Sequence, residues 1–349
     1  METAVRRAEQ GPGLGAWAQS SPAAHGLNAA ALDRAAEQLA AAGERQGLVV
    51  VRGGEIAFER YWANDWHRAE PTWRNVSFSS GKSWGATMVG RAITEGLLGL
   101  DDLADRYHAA EVSGLKPEVT IRHLLTMTTG GTLMVKPSTR RPNRLDRPKP
   151  PEPGDEYVKQ AVGERGSPEG YGVSIPAGKK FYYDGAAADH LADVITGASG
   201  IRSHDYMMTR IVAALGCENF AYQPEGVDLA GNIRIGGSIL MSCRDLARLG
   251  QLYLNGGRWA GGPLVDAAFI EEAVTPSPRN PNYGFLWWLN TGRRVPAAPE
   301  EMYYAAGARG QFCFVLPRHG MVIATMGFGE AVLSAEDAWA ALAPVLPAV

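Results

Sequence analysis

What this 349-residue chain has little of narrows its function first. Its three cysteines, Cys217, Cys243 and Cys313, are odd in number, far apart and never in a C-x-x-C pair. That pattern supplies neither a disulfide framework nor a zinc knuckle, and a reducing compartment fits it better. Seven histidines show no H-E-x-x-H or comparable ligand spacing, and the chemistry read from this chain requires neither metal nor cofactor. No apolar run approaches the ~20 residues of a membrane span. Charge does not lean either: 34 basic residues face 37 acidic ones, for a net −3. Such a balance gives no field for nucleic acid or an anionic membrane as partner. Met1 to Ser21 contains Arg6 and Arg7 but no apolar core of a signal peptide, so the cytoplasm is the expected location. G-x-S-x-G is missing, which argues against an α/β-hydrolase triad, and no internal repeat suggests a solenoid.

What is present suits a two-lobed globular protein. An apolar share of 45% builds a sizeable core, and 42 glycines with 22 prolines imply many turns. Residues 1–26, rich in Gly, Ala, Ser and Pro, read as a loose arm. Leu27-Asn28 then staples and caps a helix to about Ala42. Leu48–Arg52 and Glu55–Tyr61, joined by Gly53-Gly54, predict a β-hairpin. Trp84, Met88, Ala92, Ile93 and Leu97 recur at helical period, predicting a buried helix that ends near Leu100. Val119 to Gly131 predicts a short helix stopped by glycines. Asp189 to Gly197 and Tyr206 to Leu215 predict two more. Ser242-Cys243-Arg244-Asp245 is a capping box, and Ser334 caps a last helix. Tyr283–Leu289 has strand composition, and Phe312–Leu316 pairs with Met321–Met326 across a second turn. Strands therefore come from both ends of the chain. The division expected is an α/β lobe from 27–131 and 226–349, with a strandless helical lobe at 132–225 inserted in it. Within the insert, the Pro/Arg-rich stretch 136–154 reads as a solvated loop, with a lid over a pocket as the sharper alternative.

Chemistry concentrates in Ser77-Phe78-Ser79-Ser80-Gly81-Lys82-Ser83-Trp84. Ser79 and Lys82, three apart, share one face of a helix. A serine needs a base within hydrogen-bond reach to be a nucleophile, and a lysine is one only when its surroundings lower its pKa. The same stretch contains a decoy. Gly81-Lys82-Ser83 ends like a phosphate-binding loop, but that motif needs glycine where Val76 stands. Taken alone, Ser79 would be a helix cap. Two downstream segments change that weighting: Pro176 to Gly185, with Tyr182 and Tyr183, and Ala306-Gly307-Ala308-Arg309-Gly310-Gln311, a glycine-flanked entry to a strand. His123 and His190 read as structural, and Trp287 and Trp288 as core and pocket wall.

With Thr120–Gly130, Phe181-Tyr182-Tyr183, Ser242–Gly250, Tyr283–Trp288 and Gly307–Gln311 in this order, the chain resembles the serine β-lactamase and penicillin-binding-protein superfamily. It is most similar to the class C-like branch of esterases, D-amino-acid peptidases and 6-aminohexanoate-oligomer hydrolases. The resemblance runs from about Leu27 to Met326. It implies an α/β (α+β) fold, an antiparallel sheet flanked by helices beside a helical lobe, with the site in the groove between them. Carried over, Ser79 is the nucleophile, Lys82 the base or proton shuttle, and Tyr183 the tyrosine of Tyr-x-Asn. Gly310 takes the place of the Lys-Thr-Gly glycine, and the N–H groups of Ser79 and Gln311 form the oxyanion hole. Two departures stand out. Tyr183-Asp184-Gly185 lacks the side-chain amide, which argues against penicillin hydrolysis, and Asp184 adds a negative charge. Arg309 replaces the usual edge-strand residues, with a substrate carboxylate as its candidate partner and bulk solvent as the alternative. The expectation is a serine hydrolase or acyltransferase on an ester or amide, with an amine or alcohol as a possible acceptor. β-Lactamase or D-amino-acid peptidase activity, and a catalytically silent binding protein, are the alternatives.

Overall fold

The computed structural model describes residues 15–65, 67–109, 113, 115–130, 176–228, 230–328 and 333–347. The stretch 136–154, solvated loop or lid in the sequence reading, lies outside them.

Helix α1 (Ala29–Ala42) starts where Asn28 accepts the Ala31 N–H at 3.1 Å, and it buries Leu32, Ala36 and Leu39. Strands β1 (Arg45–Arg52) and β2 (Glu55–Tyr61) follow, joined by Gly53 and Gly54 at φ +61° and +80°. Left-handed backbone at both positions is the hairpin turn that glycine permits. Strand β3 (Arg74–Val76) leads to a one-turn 3₁₀ helix, Phe78–Ser80, and then to helix α2 (Gly81–Thr94). After the short helix α3 (Ile121–Leu125) comes α4 (Gly185–Ser199). Strand β4 (Ala221–Tyr222) and β5 (Ile239–Ser242) precede α5 (Cys243–Leu254), which opens with the capping box of Ser242 and Asp245. A small ribbon of β6 (Arg258–Trp259) and β7 (Gly262–Pro263) precedes the last strands. These are β8 (Trp288–Leu289), β9 (Tyr303–Gly307), β10 (Gln311–Leu316) and β11 (Met321–Gly327), followed by helix α6 (Ala335–Leu342).

The main sheet runs β2-β1-β11-β10-β9-β8, and each neighbouring pair is antiparallel. Both chain ends thus build one sheet. Strands β1, β10 and β11 carry nearly continuous buried runs because both faces of the sheet are covered there. Leu48, Val50, Phe314 and Ile323 pack with Leu32, Leu39 and Trp339 of α1 and α6, while Val49, Val51, Cys313 and Val322 pack with Leu249 of α5. Each such side chain contributes about 1.5–3 kcal/mol when fully buried. A smaller sheet, β3-β5-β4, carries the backbone into the Ser77 turn, where Ser77 N–H donates to Ile239 O at 2.8 Å.

Several local expectations shift. Helix α2 ends at Thr94 rather than near Leu100, because Gly96 turns left-handed at φ +71°. Gly197 does not end α4, which continues to Ser199; a Cβ there would lie 2.1 Å from Tyr107 O, so the glycine admits a backbone neighbour instead. The strand predicted over Tyr283–Leu289 shortens to Trp288–Leu289. Leu286 sits at φ +57° with its N–H donated to Leu125 O and its carbonyl taken by Ser83 Oγ, which bends the chain out of the sheet. Residues 132–225 are not strandless, since β4 pairs with β5. The arm is not loose from Gly15 onward either: Trp17 is buried, its Nε1–H donates to Gly54 O at 2.9 Å, and Ile56 N–H donates to Ala18 O. All three cysteines are free, and among the described residues no helix is long and apolar enough to cross a membrane.

Candidate active site

The turn that presents Ser79 is strained. Phe78, a bulky residue, sits at φ +46°, a conformation costing about 1–3 kcal/mol. Gly237 lies flat against it, since a Cβ there would fall 3.1–3.2 Å from Phe78 Cα, C and O. Ser80 Oγ closes the turn on Ser77 O at 2.7 Å. This leaves Ser79 half-buried, at the mouth of a helix that is otherwise almost wholly inside.

Lys82 is 3% exposed, and its Nζ donates to Ser79 Oγ at 2.9 Å and to Gly236 O at 3.1 Å. Gly236 is itself fixed from behind. Its N–H donates to Asp189 Oδ1 at 2.8 Å, and Arg234 Nε lies 3.7 Å from Asp189 Oδ2. Sequence reasoning missed both Gly236 and Asp189. The Gly236-Gly237 pair before β5 was visible, but nothing in the sequence set it opposite Lys82.

Tyr183 is the tyrosine that meets the pair: Lys82 Nζ lies 5.1 Å from its ring centroid. Its ring stacks on Trp288 at 5.4 Å and meets the edge of Tyr283 at 6.0 Å. Burial, and then the neighbouring Tyr183, push the Tyr283 phenol well above its usual range, so Tyr283 stays a neutral wall. Tyr182 is buried elsewhere, with its N–H on Met127 O and Lys180 over its ring. Asp184, half-buried, turns its N–H to Met127 Sδ at 3.1 Å just ahead of α4.

The edge strand requires a correction. Gly307, not Gly310, lies against the Ser79 turn: a Cβ on it would fall 2.3 Å from Ser77 O and 3.0 Å from Ser80 N. Gly310, at φ +76°, faces away, with its carbonyl accepting Arg45 Nη2 at 2.7 Å and Leu333 beside it. Gln311 pairs with Gly307 from the next strand inward, and its buried amide is bonded both ways to the Gly327 backbone. The three-residue turn between β9 and β10 displaces the glycine equivalence, which motif spacing alone did not reveal. Arg309 is exposed, with its guanidinium 5.4 Å over the Phe78 ring, at the rim beside Ser79.

A half-buried serine, a buried lysine in hydrogen-bond contact with it, an adjoining tyrosine and a strand edge against the serine turn form one constellation. Residues 32–343 match the family model described as Beta-lactamase. The chain belongs to the beta-lactamase family. All of the constellation falls inside the matched span, and this family's members are hydrolases. A curated relative, 6-aminohexanoate-dimer hydrolase of Paenarthrobacter ureafaciens, is 24% identical over 299 residues, 79% of this chain and 70% of that protein. Among solved structures, a penicillin-binding protein from Bacillus halodurans superposes with a TM-score of 0.64 at 17% identity, over 88% of this chain and 99% of its own. EstCE1, described as a hydrolase with promiscuous acyltransferase activity, gives a TM-score of 0.66 at 15% identity, over 90% and 98%. At such identities the two structural likenesses establish the beta-lactamase-like fold alone.

Proposed function

We propose that this beta-lactamase-family protein is a serine hydrolase that cleaves a carboxylic ester or amide through an acyl-enzyme on Ser79. The observation that carries the reading is the 2.9 Å contact between buried Lys82 Nζ and the accessible Ser79 Oγ. In the reaction, Lys82 takes the Ser79 proton while Oγ attacks the substrate carbonyl. The developing oxyanion is met by the Ser79 N–H and by backbone N–H at the Gly307–Ala308 end of β9, in place of the Gln311 N–H. Collapse breaks the bond to the alcohol or amine. That leaving group receives a proton from the Lys82–Tyr183 side, and the acyl group remains on Ser79. Water then attacks the acyl-enzyme, giving its proton back through Lys82, and the acid departs. Each step uses side chains and backbone of this chain.

The 6-aminohexanoate dimer in the name of the Paenarthrobacter relative favours amides and esters over β-lactams, as does the missing amide at Gly185. The transferase activity in the name of EstCE1 supports a second outcome, in which a bound amine or alcohol takes the acyl group in place of water. Arg309 at the rim is proposed to recognise a substrate carboxylate.

The test is covalent. A fluorophosphonate probe should label the wild-type protein on Ser79, and Ser79→Ala should lose both labelling and hydrolysis of p-nitrophenyl acetate. An unlabelled wild-type protein would support the silent binding protein instead. Product analysis with and without an added amine separates hydrolysis from transfer.

A further inference from the structure

Helix α4 carries a second cluster of side chains, within a turn beyond Asp189, the residue that fixes Gly236 behind Lys82. His190 and Asp193 lie one turn apart on it, and His108, just past the Ala104–Arg106 turn, comes up against them. One ligating atom from each of the three lies within 4.8 Å of the others. His108 Nδ1 is 3.3 Å from Asp193 Oδ2, and the two imidazole rings stand perpendicular with centroids 5.4 Å apart. All three side chains are buried.

We propose that His108, His190 and Asp193 bind one divalent transition-metal ion of the zinc class. A charge-assisted N–H···O⁻ bond would be shorter, about 2.7–2.9 Å. By contrast, a tetrahedral ion with arms of about 2.0–2.1 Å sets its ligand atoms about 3.3–3.4 Å apart. Two imidazoles select such an ion over calcium or magnesium. Outer contacts orient the carboxylate as metal ligands require. Asp193 Oδ1 accepts Asn232 Nδ2 at 2.7 Å, which turns Oδ2 toward the histidines. Asn232 Oδ1 in turn accepts the hydroxyls of Thr196 at 2.5 Å and Ser203 at 3.3 Å, which fixes its orientation. Among the described residues the cluster supplies three protein ligands.

The ion's role is structural. It joins three parts of the chain that are distant in sequence: the His108 segment, α4, and, through Asn232, the segment that ends in Gly236. It thereby stiffens the wall that receives Lys82 without touching the reacting atoms. The sequence concealed the site because His108 stands far from His190 in the chain and matches no ligand spacing.

The experiment takes the full-length protein, strips it with EDTA, and titrates it with Zn²⁺ and Co²⁺ while following bound metal, the visible spectrum and the unfolding temperature. One equivalent per chain, the absorption of four-coordinate Co²⁺ and a raised Tm are expected. Asp193→Asn and His108→Gln should lose stoichiometric binding, and Asn232→Ala should weaken it about 10–100-fold. Ser79→Ala should bind metal as the wild type does, so the outcome is independent of the acyl-enzyme reading. Substoichiometric metal on the wild type, or unchanged binding in Asp193→Asn and His108→Gln, would overturn the proposal and leave an imidazole–carboxylate hydrogen-bond cluster. Should those variants not fold, the wild-type titration decides alone.

Discussion

Two glycines three positions apart do different work, and substitution separates them. At Gly307 an added methyl meets Ser77 O at 2.3 Å, a backbone atom of the turn that presents Ser79. Neither strand nor turn can yield without moving the serine relative to Lys82. A displacement of about 1 Å at reacting groups costs on the order of 100-fold in rate. Gly307→Ala is therefore expected to fold with kcat/KM on p-nitrophenyl acetate down about 100-fold. At Gly310 the methyl meets side chains rather than the Ser79 turn, Arg45 Nη1 at 2.6 Å and Leu333 Cβ at 3.0 Å, and the left-handed φ of +76° resists substitution as well. Gly310→Ala is expected to lose about 1–2 kcal/mol of stability in denaturant titration, with kcat/KM changed far less. Equal catalytic loss in both variants would mean that the Gly307 edge has no special relation to Ser79.

Helix α2 carries the lysine and follows directly on the turn that presents the serine, and its burial depends on having almost no side chain where Ile235 crosses it. A Cβ on Gly85 would lie 2.3 Å from Ile235 Cγ2. Gly85→Ala should cost about 1–3 kcal/mol by overpacking. Because Ile235 adjoins Gly236, it should also disturb the carbonyl that receives Lys82. Ile235→Ala in the same chain removes the colliding group, so the double variant should be less destabilised than the sum of the two singles, a coupling read from unfolding curves. What was legible in the sequence follows the same division. The starts of α1, α5 and α6 were legible because Asn28, Ser242 and Ser334 cap them locally. The β1–β2 hairpin was legible through its two glycines, and Ser79, Lys82 and Tyr183 through an ordered set of motifs. Features set by distant partners were not. Gly197 looked like a helix stop because Tyr107 O is invisible from its neighbours, and Leu286 looked like strand because its bonds to Leu125 and Ser83 lie far off in the chain. The motif match points to Gly310 rather than Gly307 for the same reason, since the turn length that sets Gly307 against the Ser79 turn is not written in it.

Across the whole molecule, the sheet joins the chain's two ends, and the arm before α1 shares in that closure. Trp17 is 3% exposed, donates its indole N–H to the β1–β2 turn at Gly54 O, and stacks under Arg248 with the guanidinium 5.0 Å from its ring. Arg248 is fully buried in α5 and pairs with Glu218 at 2.8 Å, near Asp245 at 3.8 Å. Glu218 also reaches Arg244 at 3.5 Å, and Arg244 binds Glu59 of β2 at 2.6 Å. One network therefore ties the arm, the first hairpin, the Glu218 segment near the end of the 132–225 insert and the helix under the sheet. Removing the indole takes away the apolar cover of a buried guanidinium and a hydrogen bond to a tight turn. Trp17→Ala is accordingly expected to lose about 3–5 kcal/mol, the range for deleting a buried aromatic, with unfolding still a single transition. A double-mutant cycle between Trp17→Ala and Arg248→Met should show a coupling of about 0.5–2 kcal/mol, the size of a desolvated cation–π contact. If Trp17→Ala leaves the denaturation midpoint unchanged, the arm adds nothing to the fold and the network closes without it.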